Sequence, residues 1–465
     1  MEVAKEPKKV GEGSYGCVYH PPLFSKNENK RTDPYQVSKI QEKNQETINE
    51  IKIGEKIQTV PNFSFYFAPL LKTQEITVSQ MNETELDDCD VVQKNPNKKF
   101  VSNRMEYVGK NTLMEVVNHS LGKCVHNSQF TKKFLMNLVD IHKYLLYSAE
   151  LLSNHGVLHC DIKSNNIMFH DQNKVYVVID FGLGTLSETI SWTNYKNTEG
   201  KPFGILVDSY IPWNIDILFL SYISRIIQPL EASGKQYVSR VENEKVWKEK
   251  VKQDNVSTMK SMVKKFLESN KVFQNKTIFT EKDLKTFEQN YHKLITSWKG
   301  KTWEEVWQQL ERGKNTWDTY SINVMMMGLI ENTNMDQFLK VDTKNIKKVE
   351  KLQETLPKTL RMAFTGSTGT LEPLHFFKQY ILFIKQSILA LPKERPTGNM
   401  CLQTIGPMFK KIPKVNYVIL ENFLANSVTT SKNYEKTIKK QEDRTLQLIL
   451  QENKIRKKVI KIHAQ

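Results

Sequence analysis

Residues 155–169 read HGVLHCDIKSNNIMF, and residues 174–184 read KVYVVIDFGLG. In the first stretch His159, Cys160 and Asp161 are adjacent; Lys163 follows the aspartate by two positions and Asn166 by five. An apolar run closes it. In the second stretch a β-branched run ends at Asp180-Phe181-Gly182. So many polar side chains at one bend between apolar runs mark a functional loop. Upstream, apolar side chains at 134, 135, 138, 141, 145, 149 and 152 predict an amphipathic helix over 131–154. Gly156 stands just past its end, where a left-handed residue is favoured. The local order is helix, polar loop, strand, turn.

Towards the N-terminus, VGEGSYGCV (10–18) carries Val10, Gly11, Gly13, Gly16 and Val18. Glycines let backbone N–H groups approach a phosphate without side-chain clashes. The dinucleotide-binding fold uses the same glycine spacing, but there a strand feeds directly into a helix. Here a second strand and a loop with prolines follow, so a phosphate cradle and a plain glycine-rich hairpin are the readings left. YQVSKI (35–40) reads as a short strand carrying Lys39. A lysine so placed holds phosphates when a carboxylate fixes it. On the predicted helix 46–57 Glu50 is the candidate, with Glu46 one turn earlier as the alternative. Gly54 weakens that helix by about 1 kcal/mol relative to alanine. Residues 75–80 and 98–108 read as paired strands around an acidic loop.

The ordered set is a glycine loop, a strand lysine, a helix glutamate, MEYVGKNTL (105–113), H-C-D-x-x-x-x-N and D-F-G. It resembles the protein kinase family, whose signature is H-R-D-L-x-x-x-N followed by D-F-G. The resemblance covers 10–184 and resumes near 317–398. It implies an α+β, two-lobed fold. Residues 1–104 would form a strand-rich N-lobe and 105–415 a helical C-lobe with a large helical insertion at 222–315. A basic helical extension, 416–465, would follow.

The resemblance also implies roles. ATP and Mg²⁺ (with Mn²⁺ as an alternative) would bind in the cleft. Asp161 would accept the proton of the substrate hydroxyl, and Lys163 would face the γ-phosphate. Asn166 and Asp180 would hold the metal, a hard cation suited to oxygen ligands. Lys39 and Glu50 would form the phosphate-fixing pair over the glycine loop. Glu106 and Val108 would offer backbone groups to adenine, Val18 and Met168 would sandwich it, and Met105 would stand behind it. His159 would pack under the D-F-G turn. WDTYSINVMMMGLI (317–330) resembles the buried central helix of the C-lobe, with Asp318 anchoring the catalytic loop. LPKERPT (391–397) resembles a late C-lobe motif containing Arg395.

Small-molecule kinases share H-x-D-x-x-x-x-N but usually lack a lysine at the place of Lys163. That lysine, with D-F-G, resembles the serine/threonine protein kinases more than the tyrosine class. The expectation is γ-phosphoryl transfer to a protein hydroxyl. A nucleotide-binding pseudokinase scaffold and a small-molecule kinase are the alternatives.

Two departures stand out. Cys160 replaces the arginine that, in the family, reads a phosphate on the activation segment, and a thiol cannot do so. The expectation is activity without phosphorylation of that segment, which holds Ser187, Thr189, Ser191, Thr193 and Thr198. As for the thiol itself, a small buried residue is the plain reading. No A-P-E motif is recognisable either. SYIPWNID (209–216) stands near its place and offers Asp216, with Asp208 just before it, as an acidic partner for Arg395. Long β-loops, an irregular activation segment and the large insertion resemble kinases encoded by large cytoplasmic DNA viruses.

The chain has 465 residues with 67 Lys+Arg against 51 Asp+Glu, net +16. The insertion carries net +7 and residues 426–465 net +6, so the catalytic core is nearly neutral. This basicity suits an acidic partner, nucleic acid or a membrane surface, with solvated helix faces the alternative. No motif for reading nucleic acid accompanies it. Four of the seven tryptophans lie in the insertion, which predicts packing there rather than disorder. Cys17, Cys89, Cys124, Cys160 and Cys401 form no C-x-x-C pair, which argues against structural zinc. Their odd number without framework spacing suits a reducing compartment. The polar start MEVAKEPKK is no signal peptide, and YILFIKQSILAL (380–391) is too short to span a bilayer. The expected location is cytoplasmic: host cytoplasm or virion if the source is viral.

Overall fold

Five strands pair antiparallel into the first sheet: β1 (Lys8–Gly13), β2 (Gly16–His20), β3 (Gln36–Glu42), β4 (Lys72–Ile76) and β5 (Phe100–Glu106), in the order β1-β2-β3-β5-β4. The computed structural model describes residues 6–13, 16–24, 35–77, 81, 86–124, 128–170, 173–195, 210–227, 245–332 and 372–410. β3 is central, and Val37 through Gln41 are all buried. Its polar side chains must therefore find partners. Ser38 Oγ accepts from the Leu23 N–H at 2.8 Å, and Lys39 and Gln41 are paired as described below.

Helix α1 (Gln45–Ile57) begins at Asn44, whose side chain accepts from the Thr47 N–H at 2.9 Å. Gly54, costly to an isolated helix, has a packing reason. A Cβ there would lie 2.6 Å from the Leu70 carbonyl oxygen. The absent side chain lets α1 lie against the segment that enters β4.

The rest is mainly helical. The predicted amphipathic helix is Ser128–Asn154, and Gly156 past its end has φ 72°. A three-stranded sheet follows in the order β6 (Asn111–Thr112), β8 (Ile167–His170), β9 (Val175–Val178), while β7 (Val157–Leu158) pairs with β10 (Thr185–Leu186). The helix Trp317–Asn332 is buried almost all round, as a central helix must be.

The insertion is built from the helices Gln253–Ser269, Glu281–Thr296 and Trp303–Glu311. The last two start with reciprocal caps, Thr280 with Asp283 and Thr302 with Glu305. Trp247, Trp298, Trp303 and Trp307 belong to the same core cluster as Leu146, Ile162 and Met327 of the lobe. The insertion thus shares one core with the lobe. A boundary at 222 falls inside the helix Ile215–Ile227, and one at 105 falls inside β5. The extension 416–465 lies outside the described residues.

One reading from the sequence is corrected. Cys17 and Cys89 are bonded to each other, so these two are not the thiols that a reducing compartment would keep. The bond spans 72 positions, and only the packing of the 86–93 segment on β2 brings the two together. A loop of that length is worth about 4 kcal/mol in chain entropy. Cys160 and Cys401 are buried free thiols. Among the described residues no helix is long and apolar enough to cross a membrane.

Candidate active site

β3 and α1 place the first cluster. Lys39 Nζ donates to Glu50 Oε1 at 2.8 Å and lies 3.3 Å from Asp180 Oδ1. The other Glu50 oxygen accepts from Gln41 at 2.8 Å, and Asn103 on β5 in turn donates to Gln41. This chain of amides fixes the carboxylate that fixes the lysine. Burial works against the Lys39 ammonium, but Glu50 and Asp180 outweigh it and hold its pKa above the ordinary lysine value. Burial pushes Asp180 up, yet Lys39 and His159 pull its carboxyl below the usual range. Of the two glutamates open in the sequence, Glu50 is the partner. Glu46 lies one turn away and is exposed.

The second cluster sits on the polar loop. Asp318 holds the loop's backbone with both oxygens, accepting from the His159 N–H at 2.8 Å and the Cys160 N–H at 2.9 Å. Cys160 has φ 59° and Asp180 φ 63°, left-handed conformations rare for non-glycine residues and concentrated at functional sites. The His159 ring is tilted against Phe181 with centroids 4.7 Å apart and bonds the Ile179 carbonyl at 3.0 Å, so it ties the loop to the D-F-G turn. Burial, then Asp318 and Asp161, push the Cys160 thiol well above its ordinary pKa, which keeps it protonated and inert.

Asp161 is buried and crowded by donors. Asn166 Nδ2 reaches its Oδ2 at 2.9 Å, and Lys163 Nζ reaches the same atom at 3.0 Å. With Nδ2 so engaged, Asn166 has its side-chain oxygen to offer a cation. The Ile179 N–H donates to the Asn166 carbonyl at 2.9 Å, which brings Asp180 beside it. An amide oxygen and a partly exposed carboxylate form a hard-oxygen pair suited to Mg²⁺.

Sequence reasoning missed Tyr210. Its hydroxyl donates to Asp161 Oδ1 and accepts from Lys163 Nζ at 3.2 Å. Its ring lies edge-on to Trp213, whose Nε1 donates to the Cys160 carbonyl at 2.8 Å. SYIPWNID contains both aromatics, but nothing in their spacing shows that they fold back onto the loop.

Arg395 pairs with Asp216 at 2.9 and 3.4 Å, which decides between the acidic candidates among the described residues; Asp208 lies outside them. Tyr291 of the insertion donates to Asp216 at 3.5 Å and accepts from Arg395 at 3.3 Å.

The segment after D-F-G is held by the insertion. Trp307 Nε1 donates to the Ile190 carbonyl at 2.8 Å, Lys314 Nζ to the Ser187 carbonyl at 2.9 Å, and the Trp192 N–H to Glu311 at 2.7 Å. Trp192 meets Trp247 edge-on and Tyr195 packs on Trp307. Thr189 bonds Thr185 and the Leu186 carbonyl, and Ser191 bonds the Glu188 carbonyl, so both hydroxyls are used locally. Thr198 lies outside the described residues.

In the glycine loop, Gly13 pairs with Gly16 across the hairpin and Gly11 with Val18. A Cβ on Gly16 would come 2.1 Å from the Ile40 carbonyl, so the sheet itself demands that glycine. A Cβ on Gly11 would meet only Val18 at 3.9 Å. The fold does not require glycine at 11. Val10 is 55% exposed where the register shifts between Lys9 and Gly11. Val18 packs beside Met105 and Val37, whereas Met168 packs with Val108, Ala68 and Val177. Glu106 ends β5 and lies 3.8 Å from His170.

Residues 4–200 match the family described as protein kinase domain. A probable serine/threonine-protein kinase HAL5-like of Vanderwaltozyma polyspora is 31% identical over 111 residues, 24% of this chain and 14% of that protein. The serine/threonine-protein kinase HAL5 of Candida glabrata is 27% identical over 106 residues, 23% of this chain and 12% of that protein. The chain thus spans less than a sixth of the length of these curated relatives. Among solved structures, the Cydia pomonella granulovirus kinase PK-1 matches 38% of this chain and 53% of its own at 22% identity, with a TM-score of 0.24.

Proposed function

From the match of residues 4–200 to the protein kinase domain, we propose that this chain is an ATP- and Mg²⁺-dependent serine/threonine protein kinase. The observation that carries the reading is the meeting of Lys39, Glu50 and Asp180 at 2.8 and 3.3 Å, beside a loop that presents Asp161, Lys163 and Asn166 together. Mg²⁺, when bound, neutralises charge on the β- and γ-phosphates, and the Asn166 oxygen and Asp180 are the residues that would hold it. Lys39, fixed by Glu50, positions the phosphates under the glycine hairpin. Gly11 keeps backbone N–H groups open to them. Asp161 orients the substrate hydroxyl and takes its proton, while Lys163 neutralises charge on the transferred group. Val18, Met168, Glu106 and Val108 form the adenine side of the cleft. The names of the two HAL5 relatives support serine or threonine as acceptor.

The test is incubation of the full chain with Mg-ATP and a Ser/Thr/Tyr peptide library beside an Asp161→Asn control. Absence of Asp161-dependent phosphorylation of Ser or Thr overturns the reading. Phosphorylation of a small molecule instead supports the small-molecule alternative.

In this reading residues 187–195 of the activation segment are positioned by packing on the insertion, which does the work that a phosphate and an arginine do elsewhere. Phosphatase-treated enzyme, verified as unphosphorylated by intact mass, will keep its initial rate. A large loss of rate on dephosphorylation refutes this.

Tyr210 acts in this scheme as a positioning residue for Asp161 and Lys163. A hydrogen bond to a charged group is worth about 1.5–3 kcal/mol, roughly a 10- to 100-fold factor in rate. Tyr210→Phe will lower kcat by about that factor with the KM for ATP unchanged. An unchanged kcat, or a change in KM alone, removes Tyr210 from the machinery.

A further inference from the structure

The Cys17–Cys89 bond lies on the glycine-rich hairpin, one residue past Gly16. Along β2 successive side chains point to opposite faces. Cys17 therefore faces away from Val18, which lies on the nucleotide side. The bond cannot block the cleft; it can only set how firmly the hairpin is held.

Three noncovalent contacts join the same two segments. Glu12 Oε1, between Gly11 and Gly13, accepts from the Asp90 N–H at 2.9 Å. Lys9 Nζ donates to the Asp88 carbonyl and lies 2.7 Å from Glu12 Oε2. Tyr19 Oη donates to Asp88 Oδ1 at 2.7 Å. The 86–93 segment is thus a splint laid along the hairpin, with the disulfide as its one covalent tie. Both sulfurs are fully buried, so exchange has to wait until the splint lifts. Glu12 Oε1 also stands 3.5 Å from Cys17 Sγ. In the dithiol form a carboxylate so close disfavours the thiolate, the reactive species. Both features make the pair slow to change state.

We propose that Cys17 and Cys89 form a reversible thiol–disulfide site that controls nucleotide binding through the stiffness of the glycine-rich hairpin. The inference rests on the kinase reading above. The oxidant class is a low-molecular-weight disulfide. The thiolate of one cysteine attacks it, forming a mixed disulfide and expelling one small thiolate. The second cysteine thiolate then attacks the mixed disulfide at the protein sulfur and expels the other. Two protein thiols become one protein disulfide, the small disulfide becomes two thiols, and the two protons pass from protein to leaving groups. The oxidised hairpin is pre-organised and binds nucleotide more tightly. By linkage, bound nucleotide makes the bond harder to reduce by the same factor.

The full chain is equilibrated with oxidised glutathione or with dithiothreitol. Alkylation under denaturing conditions and mass analysis count thiols at 17 and 89. Calorimetry measures the Kd of a non-hydrolysable Mg-ATP analogue, and hydrogen exchange follows the amides of residues 11–17. The oxidised chain should show both cysteines protected, slower exchange at 11–17 and a Kd lower by at least about 5-fold. Cys89→Ser should match the reduced chain under both conditions. Alkylation of both cysteines after oxidant treatment overturns the proposal, as does a bonded pair with unchanged Kd and exchange. If the analogue binds in neither state, the kinase reading fails, and the exchange rates alone then decide whether the bond locks the hairpin.

Discussion

Asp161→Asn will lower phosphoryl transfer by about 10²- to 10⁴-fold while nucleotide affinity holds. The size follows from what the carboxylate does. Asn166, Lys163 and Tyr210 donate to its two oxygens, so it is held in one orientation without help from substrate. Asparagine keeps the shape and removes both the charge and the proton-accepting oxygen. The one oxygen that remains can keep at most two of the three donors, and an NH₂ stands where the other acceptor was. In the proposed reading nucleotide affinity is set elsewhere, by Lys39 with Glu50 and by the hairpin. Initial rates with a phosphorylatable peptide, beside calorimetric titration of Mg-ADP, separate the two quantities. A fall of less than about 10-fold means that Asp161 is not the proton acceptor. A parallel collapse of nucleotide affinity means that the loop has rearranged.

Asp216→Ala will destabilise the helical lobe by about 3–5 kcal/mol, because it strands the Arg395 guanidinium in the core. Both side chains are essentially without solvent contact, and among the described residues the other groups that meet Arg395 are the hydroxyls of Tyr291 and Thr316 and the face of the Tyr320 ring. Neutral partners do not replace a carboxylate there. Tm should drop by on the order of 10 °C. The double variant Asp216→Leu/Arg395→Met removes both charges and should regain most of that loss. Differential scanning fluorimetry of the two proteins gives the answer. If the single variant keeps its Tm, or the double variant is no better, the pair is not what braces the lobe.

Local chemistry made the site legible. His159, Asp161, Lys163 and Asn166 lie within eight positions on one loop. The spacing that brings them together is therefore written in the chain, and so is the helix Ser128–Asn154 in its apolar stripe. Lys39 with Glu50 was legible only as a choice between two glutamates. A turn of helix separates them, and the sheet decides which one turns inward. Arg395 with Asp216 joins positions 179 apart in sequence, and two aspartates stood near the right place. Tyr210 and the Cys17–Cys89 bond were not legible at all. Both depend on segments folding back across long separations, where neither periodicity nor spacing constrains the partner. The cysteine count even pointed the other way, because an odd total says nothing about which two side chains the sheet brings together.

The shared core has a consequence for anyone redesigning this chain. An insertion joined to its host by a narrow stalk can be excised or transplanted as a cassette. This one cannot. Trp307 and Lys314 hold carbonyls of the segment after D-F-G, and Tyr291 closes the pocket around Arg395. Deleting 245–315 would remove part of the wall on which the segment after D-F-G packs, along with the appendage. A minimal version of this protein must keep those helices or supply a new surface of equal shape.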